Sequence, residues 1–121
     1  MKDLLTIVST THIHEYAPSI EILEKNLKSS YDKFKGIKGC KHVLYVDSKK
    51  KDEIYNQYIK NILNLVDNKF QGIEVIDSPN SGLRPNYWHA INTCSTPYML
   101  FIEHDWDILH PIDTPKVLEV M

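Results

Sequence analysis

Residues 98–107 read YMLFIEHDWD: five apolar residues in succession, then acids at Glu103, Asp105 and Asp107. An unbroken apolar run of this length, with Pro97 before it and polar residues after it, is the pattern of a strand buried on both faces. Such strands belong to parallel sheets, because the crossover helices that join parallel strands cover both faces of the sheet. Upstream, LLTIV at 4–8, HVLYV at 42–46 and IEVI at 73–76 are shorter runs of the same kind, the last preceded by Gly72.

Helical spacing fills the intervals. Ile20, Leu23, Leu27, Tyr31 and Phe34 fall on one face of a helix, with Pro18 in its first turn and Gly36 and Gly39 ending it. Ile54, Tyr58, Ile62, Leu65 and Val66 mark a second amphipathic helix. The stretch DSPNSGLRP at 77–85 is dense in turn formers, and Pro85 opens a third helix that runs to about Cys94. Asp113 or Thr114 caps a last helix with Pro115 at its first position. The alternation predicts an α/β fold of three layers, a mostly parallel sheet with helices on both faces, as one domain over 1–121. Sheets of that kind bind ligands beyond the carboxyl ends of their strands, where the strand order reverses. The predicted ends carry Ser9-Thr10-Thr11-His12, Asp47-Ser48, residues 77–84 and residues 103–107.

The net charge of −2 over 121 residues lacks the basic excess of a general nucleic-acid binder. Cys40 and Cys94 form no CxxC pair, which argues against a thiolate zinc site and for free thiols. The opening MKDLLTIVSTTHIHEY is too short in apolar residues for a signal peptide, and no stretch approaches the roughly 20 apolar residues of a membrane helix. These features predict a soluble, cytoplasmic protein.

The acids after the last apolar run carry the chemistry. If the backbone stays extended, period-two alternation turns Glu103, Asp105 and Asp107 to one side. Three carboxylates so close repel one another, and a hard cation, Mg²⁺ or Mn²⁺, relieves that repulsion through their oxygens. The same cation bridges the phosphates of a nucleoside diphosphate. A short acidic motif is more often a solvated turn; its place at the end of a buried strand is what favours the metal. His104 and Trp106 alternate with the acids; His104 is expected to be packed or hydrogen-bonded, and Trp106 to be core or pocket wall. Asp47 is a candidate for base or ribose binding, against the role of turn former that aspartate fills well. Arg84, the only arginine, is positioned to hold a phosphate oxygen unless it is an ordinary surface residue. Thr10 and Thr11 are candidates to line a base pocket. His12 and His14 lack the companions of a zinc site, the lysines at 49–51 read as a solvated turn, and Trp88 is expected to be packed.

At this point the chain resembles a known family. Residues 73–109 are similar to the middle of the inverting glycosyltransferases that include the cellulose and hyaluronan synthases. The likeness is carried by Asn80-Ser81-Gly82-Leu83, the helix from Asn86, Tyr98-Met99-Leu100-Phe101-Ile102 and Glu103-His104-Asp105. Ser9-Thr10-Thr11-His12 resembles the family's base-contacting loop, and Val46-Asp47-Ser48 its uridine-contacting strand end. The resemblance implies the A-type glycosyltransferase fold, a Rossmann-like arrangement of the nucleotide-diphospho-sugar transferase type. It also implies Mn²⁺ or Mg²⁺ and a nucleotide-sugar donor, UDP-linked, with an acceptor that stays unidentified. The family's second acid carries the metal, which makes Asp105 the first choice of ligand and Glu103 its partner. Two departures stand out: the motif begins with Glu, and Asp105-Trp106-Asp107 overlaps it in a second register. The family's acceptor region and catalytic base lie beyond the metal motif, so the chain is expected to end before them.

Three rivals remain. A nucleotidyltransferase needs a Gly-rich basic loop after the first strand, which residues 9–14 lack. A phospho-receiver needs acids where Thr10 and Thr11 stand. A non-catalytic nucleotide-binding or assembly module fits a chain without an acceptor half.

Overall fold

The computed structural model describes residues 1–13, 18–48, 52–78 and 83–121. In chain order the elements are β1 (Leu5–His12), α1 (Glu21–Lys33), β2 (Phe34–Lys35), β3 (Lys41–Asp47), α2 (Glu53–Lys69), β4 (Ile73–Asp77), α3 (Leu83–Thr93), β5 (Tyr98–Glu103), β6 (Ile112–Asp113) and α4 (Thr114–Glu119). Four strands form one sheet in the order β4-β3-β1-β5, and every neighbouring pair is parallel. The short strands β2 and β6 pair with each other, also in parallel.

Side chains of β3 alternate between two cores. Leu44 and Val46 pack with Leu23 and Leu27 of α1 and with Tyr55, Tyr58 and Ile62 of α2. Val43 and Tyr45 face the other way, with Val8 and with Ala90 of α3. Helices therefore lie on both faces, as the fully apolar strands require. A third cluster joins Leu5, Ile7 and Ile102 to Phe34, Ile37 and Cys40, with Ile112 and Leu118 packed against it. Gly36 holds φ at +82°, and a Cβ there would come within 3.0 Å of the Pro115 ring, so glycine alone lets α4 approach this closely. Both cysteines are free thiols. Among the described residues no helix is long and apolar enough to cross a membrane.

Three boundaries differ from expectation. Strand β1 does not stop at Val8 but continues through Ser9, Thr10 and Thr11 to His12. Polarity suggested a loop there, yet threonine's β-branch suits a strand, and these hydroxyls find partners inside the protein. Helix α1 begins at Glu21, beyond Pro18, and releases Phe34 to pair with Ile112. Helix α3 begins at Leu83, which puts Pro85 inside its first turn. The last helix starts as expected, with Asp113 Oδ1 accepting from the Lys116 N–H at 3.3 Å.

A buried imidazole ties β3 to β1 and α1. His42 Nε2 lies 2.7 Å from Ser9 Oγ, and His42 Nδ1 lies 2.6 Å from the Tyr31 hydroxyl. A neutral imidazole gives one proton and accepts one, and either hydroxyl can complement it. Burial holds the His42 pKa down at about 4, against an ordinary 6.5. Between those values the unfolded chain binds a proton that the folded chain does not. The stability this contributes is complete above about pH 6.5, falls as the pH drops, and is exhausted near pH 4. The group accounts for about 3 kcal/mol across that window. Urea midpoints measured from pH 7.5 downwards should decline accordingly, and His42→Gln should flatten the decline between pH 6.5 and 5.

Candidate functional site

Parallel strands end on one side of a sheet, and their register sets which ends meet. Thr10 lies opposite Glu103, His12 opposite Asp47, and Val46 opposite Asp77. The tips of all four strands thus share one rim. The strand order reverses between β1 and β5, because β3 and β4 lie to one side of β1 and β5 to the other. Thr10, His12, Glu103 and His104 stand at that reversal. Residues 14–17, 49–51 and 79–82 follow the strand tips in sequence and are not among the described residues. The expected features at His14, Lys49, Lys50, Lys51, Asn80, Ser81 and Gly82 fall there.

Thr10 and Thr11 face opposite ways. Thr11 is buried, and its Oγ1 lies 2.6 Å from the Tyr58 hydroxyl on α2. Thr10 shares its side of the sheet with Glu103 and with Tyr87 of α3, whose hydroxyl reaches Glu103 Oε1 at 3.4 Å. Burial and the Glu103 charge raise the Tyr87 pKa above the ordinary phenol value. The Tyr87 ring also packs on Phe101, with centroids 4.5 Å apart.

The β3–β4 side of the rim is knitted together. Asp47 is buried at the end of β3, and its Oδ1 accepts from the Ser48 N–H at 2.8 Å. The Tyr55 hydroxyl donates to Asp77 Oδ1 and lies 3.2 Å from the Val46 carbonyl. That carbonyl also accepts from Ser78, through N–H at 2.9 Å and Oγ at 3.1 Å. Burial, then the bond to Asp77, pushes the Tyr55 pKa well above the usual phenol range. Sequence reasoning missed Tyr55: the helical spacing marked its neighbour Ile54 for the core face instead, yet Tyr55 is the buried one of the two. Arg84 is exposed in the first turn of α3, which starts on the same rim.

The acidic segment departs from the expected geometry. The extended run stops at Glu103, and the Trp106 N–H closes a turn onto the Glu103 carbonyl at 3.1 Å. Period-two alternation therefore does not carry Glu103, Asp105 and Asp107 to one side. Glu103 is half-buried beside Tyr87, Asp105 is exposed, and Asp107 lies 3.7 Å from Lys25 on α1. Among the described residues no three His, Cys, Asp or Glu side chains converge to hold a metal ion.

His104 is buried, and its ring meets that of His12 edge to face with centroids 4.7 Å apart. Trp88 is 68% exposed and so is not the packed residue expected, and Trp106, 46% exposed, lies outside the core. The turn has a cause outside itself. Asn26 of α1, buried, donates from Nδ2 to the carbonyls of Glu103 at 3.1 Å and Trp106 at 2.7 Å. A polar residue on a helix face otherwise turned to the core was the one available sequence signal for it.

No known protein family, characterised protein or solved structure matches this chain.

The two rim tyrosines should behave differently on deletion of the hydroxyl. Tyr55→Phe removes a bond to a carboxylate and should lower unfolding stability by about 1–3 kcal/mol. Tyr87→Phe loses a long bond on a half-exposed site and should cost less than about 1 kcal/mol. Urea denaturation of the two variants side by side makes the comparison.

Proposed function

We propose that this chain is the donor-binding half of a metal-dependent glycosyltransferase, taking a nucleotide-diphosphate sugar, UDP-linked, whose sugar passes to an acceptor held elsewhere. The observation that carries the proposal is the shared rim. Thr10, Asp47 and Glu103 lie along the carboxyl ends of a parallel sheet, beside the reversal of strand order, and α3, which carries Arg84 in its first turn, reaches that rim through Tyr87. The sheet order and the helices on both faces agree with a Rossmann-like fold of the nucleotide-diphospho-sugar transferase type.

Each residue then has a task. Asp47 accepts a hydrogen bond from the base or ribose. Thr10, on the α3 side, lines the pocket, while Thr11 supports the strand through Tyr58. Arg84, exposed in the first turn of α3, clamps a phosphate oxygen in the two-pronged geometry of guanidinium.

Mg²⁺ and Mn²⁺ suit this rim with fewer protein ligands than the sequence suggested. Such cations are commonly held by one or two carboxylates, with substrate phosphates supplying further oxygens, rather than by an all-protein cage. Glu103 and Asp105 provide that pair, and Asp107 against Lys25 stands outside it. The bound cation would supply charge neutralisation for the departing diphosphate. The chain's own part is to orient the donor and to present Glu103 at the strand tip and Asp105 in the turn after it. No described residue is assigned as the base that activates the acceptor.

Calorimetric titration of UDP into the chain, with and without Mn²⁺, tests the proposal. Binding should depend on the cation. Asp105→Asn should weaken it by at least about tenfold and Glu103→Gln in the same direction, with Asp107→Asn within about twofold of wild type. UDP binding that is absent, or indifferent to Mn²⁺, would sink the idea.

A further inference from the structure

Helix α3 lies on the sheet against the direction of the strands. Near its start, the Tyr87 hydroxyl reaches Glu103 at the tip of β5, 3.4 Å away. At its end, Thr93, with Cys94 just beyond, lines a small cavity with Thr6 and Lys41, where β1 and β3 begin. Between these points Ala90 packs with Val8, Val43 and Tyr45. Asn86 stands one helical turn before Ala90, on the same face and nearer the strand tips. Asn86 and Ala90 are the buried residues of α3 among those described, and Asn86 is 4% exposed.

The inner face of α3 thus carries a carboxamide towards the rim where Thr10 stands. Nearby polar groups are paired with one another: the Tyr45 hydroxyl lies 2.7 Å from His89 Nδ1, and Tyr87 reaches Glu103. The Asn86 carboxamide makes no hydrogen bond among the described residues. It is also not one of the sealed, unpartnered groups of the interior, which are at Asn26, Ser30 and Thr114, so its tip keeps access from outside. A largely buried amide without an internal partner is unfavourable, and an apolar side chain of like size would pack as well without that cost.

We infer that the Asn86 carboxamide reads the base of the donor nucleotide, its Oδ1 accepting the N3–H of a uracil ring and its Nδ2 donating to the adjoining C4 carbonyl. This deepens the donor-site reading above and rests on it, but calls on no metal ligand. A diphosphate only accepts hydrogen bonds and would leave Oδ1 unmatched. The edge of a base offers a donor and an acceptor side by side in one plane, as a carboxamide does. Val8, Val43 and Tyr45 beneath this face make apolar surroundings, which suit a flat ring better than a charged group.

The full chain tests this with Asn86→Leu, close to asparagine in size. The first readout is the urea midpoint without ligand. The second is calorimetric affinity, with Mn²⁺ present, for UDP and for UDP methylated at N3, which has lost the donor. Asn86→Leu should match or exceed the wild type in urea midpoint and bind UDP about tenfold more weakly. Methylation at N3 should weaken binding to the wild type by about tenfold and leave binding to Asn86→Leu within about twofold. A variant that is less stable or does not fold overturns the inference, because the amide would then be a structural group. Unaltered UDP affinity overturns it too, as does an equal loss on methylation in both chains. A wild-type chain that takes up no UDP fails the donor-site reading itself, and the role of Asn86 with it. A wild type that binds UDP, beside any of the overturning results, fails this inference alone.

Discussion

Strand β1 lies between two parallel neighbours with helices above and below, so every polar side chain along it must find its partner inside the protein. Leaving one buried hydroxyl unpaired costs about 1–3 kcal/mol, a large part of the margin by which a domain of this size is stable. The chain meets the constraint residue by residue. Thr6 Oγ1 pairs with Thr96 Oγ1 at 2.7 Å, just ahead of β5. Ser9 meets His42, which meets Tyr31 on α1, and Thr11 meets Tyr58 on α2. Each pairing joins the central strand to a different element. The polar half of β1 is therefore a set of ties that fixes where α1, α2 and β5 stand.

The rim follows from those ties. With β1 as reference, parallel register brings Glu103 level with Thr10, and Asp47 level with His12. Helix α1, held against the sheet by Leu23 and Leu27 and by Tyr31 on His42, then presents Asn26 and Ser29 to the chain leaving β5. On the far side, Tyr55 performs a similar service for β3 and β4 through Val46 and Asp77. The same helices that bury the apolar faces hold the polar ends in place, so packing and site geometry are one problem here.

Much of this was legible in the sequence because apolar runs and helical spacing are local signals. The runs at 42–46, 73–76 and 98–102 became strands extended by a residue or two at their polar ends. The same signal failed in β1, where hydroxyl side chains imitate a loop; only their partners at His42 and Tyr58 make them strand residues. It failed again after Ile102. Alternation of side chains presumes an extended backbone, and the backbone turns at Glu103 because an amide 77 positions earlier in the chain takes hold of it. The exposure of Trp88 and Trp106 was illegible for a related reason: a large aromatic ring reads as core unless the neighbouring face is known.

The turn also changes what the acids can do. Three carboxylates aligned on one side of a strand would repel each other and would make a cage for a cation whether or not a substrate was present. A turn that leaves Glu103 beside Tyr87, sends Asp107 to Lys25 and exposes Asp105 breaks up that cage. The exposed ion pair itself adds little stability, about 0–1 kcal/mol, since water and salt screen it. Its larger effect is on charge: Lys25 offsets that of Asp107, one of the three acids. Two carboxylates are too few to satisfy Mg²⁺ or Mn²⁺ alone and enough to complete a shell that includes phosphate oxygens. On the donor-site proposal, a site so built would bind the cation and the diphosphate best together, which would tie cation uptake to the presence of the donor through ligand count alone.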